Sequence, residues 1–238
     1  MKIALIGYGK MGKTIEGLAL GQNHEIVLRI DRDHLDHLSQ LKENRVDVAI
    51  EFSRPEAAVN NILACFEHGV PVVSGTTGWT DKMEEIHQTC RKKEGAFFYA
   101  SNFSIGVYLF SRINAQLAQM MNQQSDYEVQ MEEIHHTQKL DAPSGTAISL
   151  AQDILQNVAQ KERWVNEATE QAEELAILSK RIDQVPGTHK IQWQSEIDSI
   201  TIEHVAHSRI GFAKGAIAAA EWLVGKKGVF GMQDLLGF

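Results

Sequence analysis

The chain has 238 residues and a formal net charge of −8, with 43% of the residues hydrophobic and 23% charged. This length allows one large or two small domains with a buried core, and the negative charge argues against a general surface for nucleic acid or an anionic membrane. The two cysteines, Cys65 and Cys90, fit neither a disulfide framework nor a metal-knuckle spacing, so we expect reduced thiols in a cytoplasmic protein. The apolar run at 1–6 ends at Gly7 and is too short for a signal peptide or a membrane span.

The N-terminal part of the chain alternates between strand-like and helix-like patterns. Apolar runs predict strands at 3–6, 26–30, 46–52, 70–74 and 96–100. Helices are predicted at 55–68, where the segment 53–56 is typical of a capping box, and at 81–93. The charged connection 31–45 is a short helix or a loop. Strands that recur with crossovers between them predict right-handed βαβ units and a parallel sheet.

The pattern changes after Asn102. We predict a helix at 106–123, a strand at 126–136, a helix at 144–159, strands at 175–182, 188–195 and 199–207, and a last helix at 212–225. The fold class is therefore α/β, with a Rossmann-like parallel-sheet domain followed by a second α+β domain that carries an open mixed sheet. We place the first domain at 1–104, with 212–238 packing back on it, and the second at 105–211.

A glycine-rich motif follows the first predicted strand and opens a helix. It consists of Gly7, Tyr8, Gly9, Lys10, Met11 and Gly12. In a GxGxxG motif the first glycine permits the tight turn, the second lets a pyrophosphate approach the backbone, and the third lets the helix pack on the strand. Together with Asp31 at the end of the second strand, the motif predicts a dinucleotide site; the alternative is a purely structural glycine turn.

The charges near this motif concern the choice of nicotinamide cofactor. The carboxylate of Asp31 favours the free 2′-hydroxyl of NADH, whereas Arg32 and Lys10 could bind the 2′-phosphate of NADPH. For Arg32 a solvated charged turn is the alternative. The sequence therefore predicts NADH or NADPH as the cofactor.

Two more segments follow predicted strands of the same sheet, where ligands of open α/β sheets bind. They are Gly75, Thr76 and Thr77 after the fourth strand, and Ala100, Ser101, Asn102 and Phe103 after the fifth. We expect them near the nicotinamide and its ribose, although ordinary turns would have the same composition.

The stretch EIHHTQKLDAPSGTA at 133–147 concentrates titratable groups beside a helix start. An imidazole such as that of His135 can donate a proton near neutral pH, and the ammonium of Lys139 can hold a carboxylate or a developing anion. Ser144, Gly145 and Thr146 open a helix, which makes a second anion site. An acid beside two anion sites fits a small dicarboxylate substrate. The alternatives are a surface histidine pair before a serine-capped helix, and a metal site, which we do not predict because no cysteine or third histidine lies nearby in sequence.

The same stretch resembles the signature of the 4-hydroxy-tetrahydrodipicolinate reductase (dihydrodipicolinate reductase) family. The resemblance covers the whole chain, through GYGKMG, GTTG, ASNFSIGV, HHTQKLDAPSGTA and HSRIGFAKGA. It implies an enzyme of the diaminopimelate–lysine pathway that uses NADH or NADPH to produce tetrahydrodipicolinate. A related amino-acid dehydrogenase would not need DAPSGT, and an NADH-binding redox sensor would have no use for the His-His-Lys cluster.

The resemblance also implies residue roles. His135 would be the proton donor and acceptor, and Lys139 a second proton-donating residue that holds the substrate. His136, Gly145 and Thr146 would contact the substrate, and the glycine loop, Asp31, Arg32 and the segments 75–77 and 100–103 would contact the cofactor. The family pattern further implies a homotetramer built through the sheets of the second domains, with no nucleic-acid or membrane partner.

Overall fold

The structure, a computed structural model, describes residues 1–31, 37–208 and 210–238. The chain divides into two units. The first contains Met1–Ile105 and Ile210–Phe238, and the second is the stretch between them. Within the described residues, no helix combines the length and the apolar character that crossing a membrane requires.

The first unit is built on a parallel sheet of six strands. Its elements are β1 (Lys2–Ile6), α1 (Lys10–Gly21), β2 (Glu25–Ile30), β3 (Val48–Glu51), α2 (Pro55–Glu67), β4 (Val72–Ser74), α3 (Met83–Lys92), β5 (Ala96–Tyr99), α6 (Ile210–Leu223), β11 (Gly228–Phe230) and α7 (Met232–Leu236). The strand order is β11-β5-β4-β3-β1-β2, and every neighbouring pair is parallel. The strands are almost continuously apolar because helices cover both faces of such a sheet.

This strand order places a ligand crevice beside β1. The chain moves outward from β1 to β2 and then returns to β3 on the other side of β1. The order therefore reverses at β1, and open α/β sheets bind ligands beyond the carboxyl ends of the strands at such a point. The glycine loop and Asp31 both lie at that end.

The second unit packs helices against a mixed sheet. Its elements are α4 (Ile105–Met121), β6 (Glu128–His135), α5 (Gly145–Asn157), β7 (Arg163–Val165), β8 (Glu174–Arg181), β9 (Gly187–Gln194) and β10 (Ser199–Ala206). The strand order is β10-β9-β6-β8-β7; β9 is antiparallel to both β6 and β10, whereas β8 is parallel to β6 and β7. One face of this sheet is buried by the two helices in a core that includes Met131, Leu150 and Trp193.

The predicted fold class is confirmed, and the differences are local. The capping box at 53–56 is wrong: Arg54 is the N-cap of α2 without a side-chain cap, and the hydroxyl of Ser53 contacts Glu51 instead. The helix predicted at 81–93 begins at Met83, after a 3₁₀ turn at 80–82. The prediction for 31–45 falls partly on residues 32–36, which lie outside the described residues. Sequence analysis missed β7, β11 and α7 because each is too short to show a periodic pattern.

Candidate active site

The glycine loop joins β1 to α1, and its three glycines have different surroundings. Gly7 has a φ of 92°, and a Cβ there would lie 2.0 Å from the carbonyl oxygen of Phe52, so the turn requires glycine. A Cβ on Gly12 would lie 2.3 Å from the carbonyl oxygen of Gly7, whereas a Cβ on Gly9 would meet no atom of the described chain within 4 Å. The loop therefore leaves space at the N-terminus of α1 and fits a pyrophosphate there.

A cleft of about 250 Å³ runs along this loop. Asp31, at the end of β2, lines it together with the loop. The hydroxyl of Tyr8 donates to Glu16, and hydrogen bonds from Arg29 and from Tyr8 lower the pKa of that carboxyl. The carboxylate of Asp31 and the glycine loop thus line one cleft, which fits the adenosine half of a dinucleotide.

Sequence analysis predicts that two basic residues, Lys10 and Arg32, contact the cofactor. It missed a third, Arg54. Lys10 is exposed in the first turn of α1. Arg32 lies outside the described residues, so its predicted cofactor contact stays a prediction. Arg54, which sequence analysis placed in a capping box, lines the cleft together with the glycine loop. Its position after the strand β3 was the signal that could have identified it.

The segment after β4 is fixed by a buried carboxylate. Glu51 is fully buried at the end of β3, and it accepts hydrogen bonds from Ser74 Oγ (2.6 Å), Thr76 Oγ1 (2.8 Å) and the backbone N–H of Ser53 (3.0 Å). The hydroxyl of Thr76 thus faces the core. A cofactor contact from this segment would come from its backbone or from the exposed Thr77.

The segment 100–103, which follows β5, is partly buried in the core. Phe103 is buried against the rings of Phe52 and Phe98, with centroid distances of 5.6 and 5.9 Å. Asn102 accepts a hydrogen bond from the backbone N–H of Ser104 at 2.9 Å, and Ser101 is exposed. The predicted cofactor contacts of 100–103 therefore fall mainly to Ser101 and the backbone.

In the second unit, strand register gathers four titratable side chains. Glu133 and His135 lie on the same face of β6 because they are two residues apart. The register places Glu133 opposite His189 of β9 and His135 beside Arg181 of β8. Sequence analysis singled out His135 alone and missed the other three.

Glu133 contacts two basic side chains in the interior, His135 and Arg181. One carboxylate oxygen contacts Nδ1 of His135, and the other accepts a hydrogen bond from Arg181 at 2.8 Å. Burial alone would raise the pKa of Glu133, but hydrogen bonds from His135, Ser179 and Arg181 outweigh burial and lower the pKa to about 2. The carboxylate is therefore ionised at neutral pH.

His189 stands edge-to-face against His135, with ring centroids 5.2 Å apart. Burial, and to a smaller extent the neighbouring His135, lowers the pKa of His189 to about 4. The ring is therefore neutral near pH 7. No third histidine lies near His135 and His136 in sequence, as expected. In the fold, however, β9 brings His189 into contact with His135. The charge of Glu133 is already balanced by the ion pair with Arg181.

Ser144 is built into the start of α5. Its hydroxyl accepts the backbone N–H of Ala147 at 3.1 Å and lies 3.2 Å from Nε2 of His189. The side chain is 2% exposed. The structure thus gives Ser144 a capping role, and its part in substrate binding stays a prediction. Gly145 and Thr146 begin the helix, whose first turn presents backbone N–H groups to an anion.

Lys139 lies in the turn between β6 and α5. Its Nζ is 2.8 Å from both carboxylate oxygens of Asp141, and the hydrogen bond from Lys139 lowers the pKa of Asp141. The carbonyl of Asp141 accepts from Arg181 at 2.6 Å, so the turn is attached to the Glu133 cluster. His136 is half-buried, in contrast to the buried His135.

Sequence analysis could have found some of the missed residues. Glu133 stands two residues before His135 on a predicted strand, so period-2 alternation already places both on one face. His189 and Arg181 carry no such signal, because only the pairing of distant strands brings them to β6.

A Rossmann-type sheet with a glycine loop for phosphates, and a second unit that holds an acid–imidazole cluster, define an oxidoreductase that uses a nicotinamide cofactor. The family described as "Dihydrodipicolinate reductase, N-terminus" matches residues 1–103, and "Dihydrodipicolinate reductase, C-terminus" matches residues 106–236. The chain belongs to the dihydrodipicolinate reductase family, as its sequence signature predicts.

Individual relatives agree with this assignment. The chain is 51% identical to a 4-hydroxy-tetrahydrodipicolinate reductase of Christiangramia forsetii, with 99% of this chain and 98% of that protein covered. It is 34% identical to a 4-hydroxy-tetrahydrodipicolinate reductase of Methanoculleus marisnigri, covering 83% of this chain and 78% of that protein. A dipicolinate-bound dihydrodipicolinate reductase from Paenisporosarcina sp. TG-14 has the same fold, with a TM-score of 0.82 at 24% identity and 98% of both chains covered.

Proposed function

We propose that this protein is an NAD(P)H-dependent reductase that converts 4-hydroxy-tetrahydrodipicolinate into tetrahydrodipicolinate, in diaminopimelate and lysine biosynthesis. The observation that carries the proposal is the 51% identity, over 99% of the chain, to a relative of that name. The stretch at 133–147 adds a reason, because a related amino-acid dehydrogenase would not need DAPSGT and a redox sensor would have no use for the His-His-Lys cluster.

The reaction requires both a hydride and a proton. Replacing the 4-hydroxyl by hydrogen releases the oxygen as water, so the bound nicotinamide supplies the hydride and an acid supplies one proton. His135 is the acid that the cluster favours, since the imidazolium of histidine donates near neutral pH.

The dicarboxylate substrate needs two anion sites. Lys139 would bind one carboxylate, and this requires its ammonium to exchange the exposed Asp141 for the substrate. The backbone of Gly145 and Thr146 at the start of α5 would bind the other. His136, which follows His135 at the end of β6, contributes a further polar contact from the side.

The first unit would hold the cofactor, and we propose that NADH and NADPH both serve. Asp31, which lines the cleft, suits the 2′-hydroxyl of NADH. Arg54 in the same lining, together with Lys10 and Arg32 as the sequence predicts, would offer positive charge for the 2′-phosphate of NADPH. Because the acidic and basic side chains act in opposite directions with similar strength, the preference between NADH and NADPH should be modest.

The assembly would be a homotetramer in the cytoplasm. β10 ends the mixed sheet, and Ile197, Ile200 and Val205 on or beside it are exposed. An exposed sheet with apolar side chains is covered by pairing with another copy. Analytical ultracentrifugation tests the state; a monomer at micromolar concentration would contradict it.

A coupled assay tests the function. The purified protein receives NADH or NADPH and the product of the pathway's aldol-condensation enzyme, and absorbance follows cofactor oxidation. His135→Gln and Lys139→Ala should each lower kcat by on the order of 100-fold or more while NADH still binds. Lys180→Ala is a matched control, because Lys180 pairs with Glu132 on the other face of the sheet. Wild-type turnover in either test variant would contradict the role given to that residue.

A further inference from the structure

The fold does not explain the carboxylate of Glu133. The residue is fully buried, and the positions before it on the same face of β6, Val129 and Met131, are apolar. A buried carboxylate is costly unless it is paired and hydrogen-bonded. Both of its oxygens are engaged, one by Nδ1 of His135 and one by Arg181.

We propose that Glu133, held in turn by Arg181, is the positioning residue that keeps a proton on Nδ1 of His135 and leaves Nε2 as the atom that exchanges a proton with the substrate. This inference rests on the proposed function, since it assigns the proton path within the same site.

The geometry gives the first reason. An ionised carboxylate only accepts hydrogen bonds, so the nitrogen that contacts Glu133 must carry a hydrogen. That contact fixes the tautomer and the orientation of the ring. A Cβ on Gly187 would lie 3.0 Å from Nε2, so glycine at this position keeps the space beside the second nitrogen clear.

The charges around the ring give the second reason. The titratable and charged groups that face His135 from the packed strands and the adjoining turn are Glu133, Arg181, His189, Lys139 and Asp141. His189 is neutral, Lys139 is paired with Asp141, and Arg181 is bonded to Glu133. Glu133 is thus a charged group that contacts the His135 ring directly, at Nδ1.

Glu133→Gln tests the proposal, because it keeps the size of the side chain and removes its charge. We expect kcat at about pH 8 to fall on the order of tenfold relative to the wild type, with recovery toward lower pH, because the imidazolium loses its anion. KM for NADH should not change. Glu132→Gln is the matched control, since Glu132 lies on the opposite face of β6 and pairs with Lys180.

Arg181→Gln should act in the same direction as Glu133→Gln. Without the guanidinium that holds it, Glu133 positions the His135 ring less firmly, so kcat should fall while KM for NADH stays unchanged, and wild-type kcat would remove Arg181 from the proposal. This variant also keeps the proposal testable if Glu133→Gln fails to fold, which circular dichroism would reveal.

Nitrogen-15 chemical shifts of the His135 ring provide a measurement without turnover. In the wild type we expect the proton of the neutral ring on Nδ1, and in Glu133→Gln a shift toward the Nε2 tautomer. This readout separates the inference from the proposed function, because it can succeed in a protein without reductase activity. A wild-type ring protonated on Nε2, or a Glu133→Gln profile equal to that of Glu132→Gln, would overturn the proposal.

Discussion

Gly12 packs so closely on Gly7 that a Cβ on Gly12 would lie 2.3 Å from the carbonyl oxygen of Gly7. A Cβ on Gly9, between them in sequence, would meet no described atom within 4 Å. One loop therefore contains a glycine that the fold needs and a glycine that only a ligand would need.

This contrast predicts different outcomes for two alanine variants. Gly9→Ala should raise KM for the cofactor on the order of tenfold, because the methyl occupies space for the pyrophosphate, while the urea midpoint stays at the wild-type value. Gly12→Ala should lower stability by about 1–3 kcal/mol, because the loop and α1 must move apart. NADH titration by fluorescence and urea denaturation measure the two effects. Unchanged NADH binding in Gly9→Ala would mean that the phosphates bind elsewhere.

A similar variant tests the second anion site. Gly145 begins α5, and a Cβ there would meet no described atom within 4 Å. Gly145→Ala should therefore leave the fold intact, since alanine favours helix by up to about 1 kcal/mol, and should raise KM for the substrate on the order of tenfold. Ser149→Ala, one turn further along α5, is the control. Ser149 Oγ donates to the carbonyl of Gly145, so this variant alters a neighbouring contact of Gly145 without adding a methyl group at its Cα. Steady-state kinetics with thermal melts decide the matter; an unaltered substrate KM would remove Gly145 from the site.

The pKa of His189 predicts a pH dependence of stability. The folded-state pKa is lowered from 6.5 to about 4, so between these values the unfolded chain binds more protons than the native protein. Stability is therefore fully present above about pH 6.5 and falls as the pH drops toward 4, by up to roughly 3 kcal/mol. His189→Asn should flatten this loss. Urea midpoints at about pH 7 and pH 5 measure it, with the exposed His207→Asn as control; an equal loss in His189→Asn would assign the effect to other groups.

Cofactor choice is the fourth prediction. NADH and NADPH should have kcat/KM values within roughly a hundredfold of each other. Arg32→Ala should impair NADPH far more than NADH, with an effect that shrinks at high salt as exposed charge is screened. Asp31→Ala should weaken NADH instead. Measuring kcat/KM for both cofactors, with the exposed Lys42→Ala as control, tests this; equal losses in Arg32→Ala would mean that its side chain faces solvent.

Local patterns in the sequence were sufficient for the parallel sheet, the glycine loop and the start of α5. Buried parallel strands are continuous apolar runs. Gly7 has a positive φ and Gly12 packs on the carbonyl of Gly7, and Ser144 caps the helix that follows it. The motif around His135 also predicts the site, because clustered titratable groups are uncommon without a function.

Only the tertiary structure decided what surrounds His135. Arg181 and His189 reach His135 through the pairing of β8 and β9 with β6, and strand register between distant segments is set by the packing of the whole sheet. The tertiary structure also places the hydroxyl of Ser144 beside His189. In the first unit, where β3 pairs with β4, it turns the side chain of Thr76 toward Glu51. Short-range sequence patterns determine which elements form, because they reflect the backbone and the nearest neighbours; the environment of a buried charge depends on residues that are far apart in the chain.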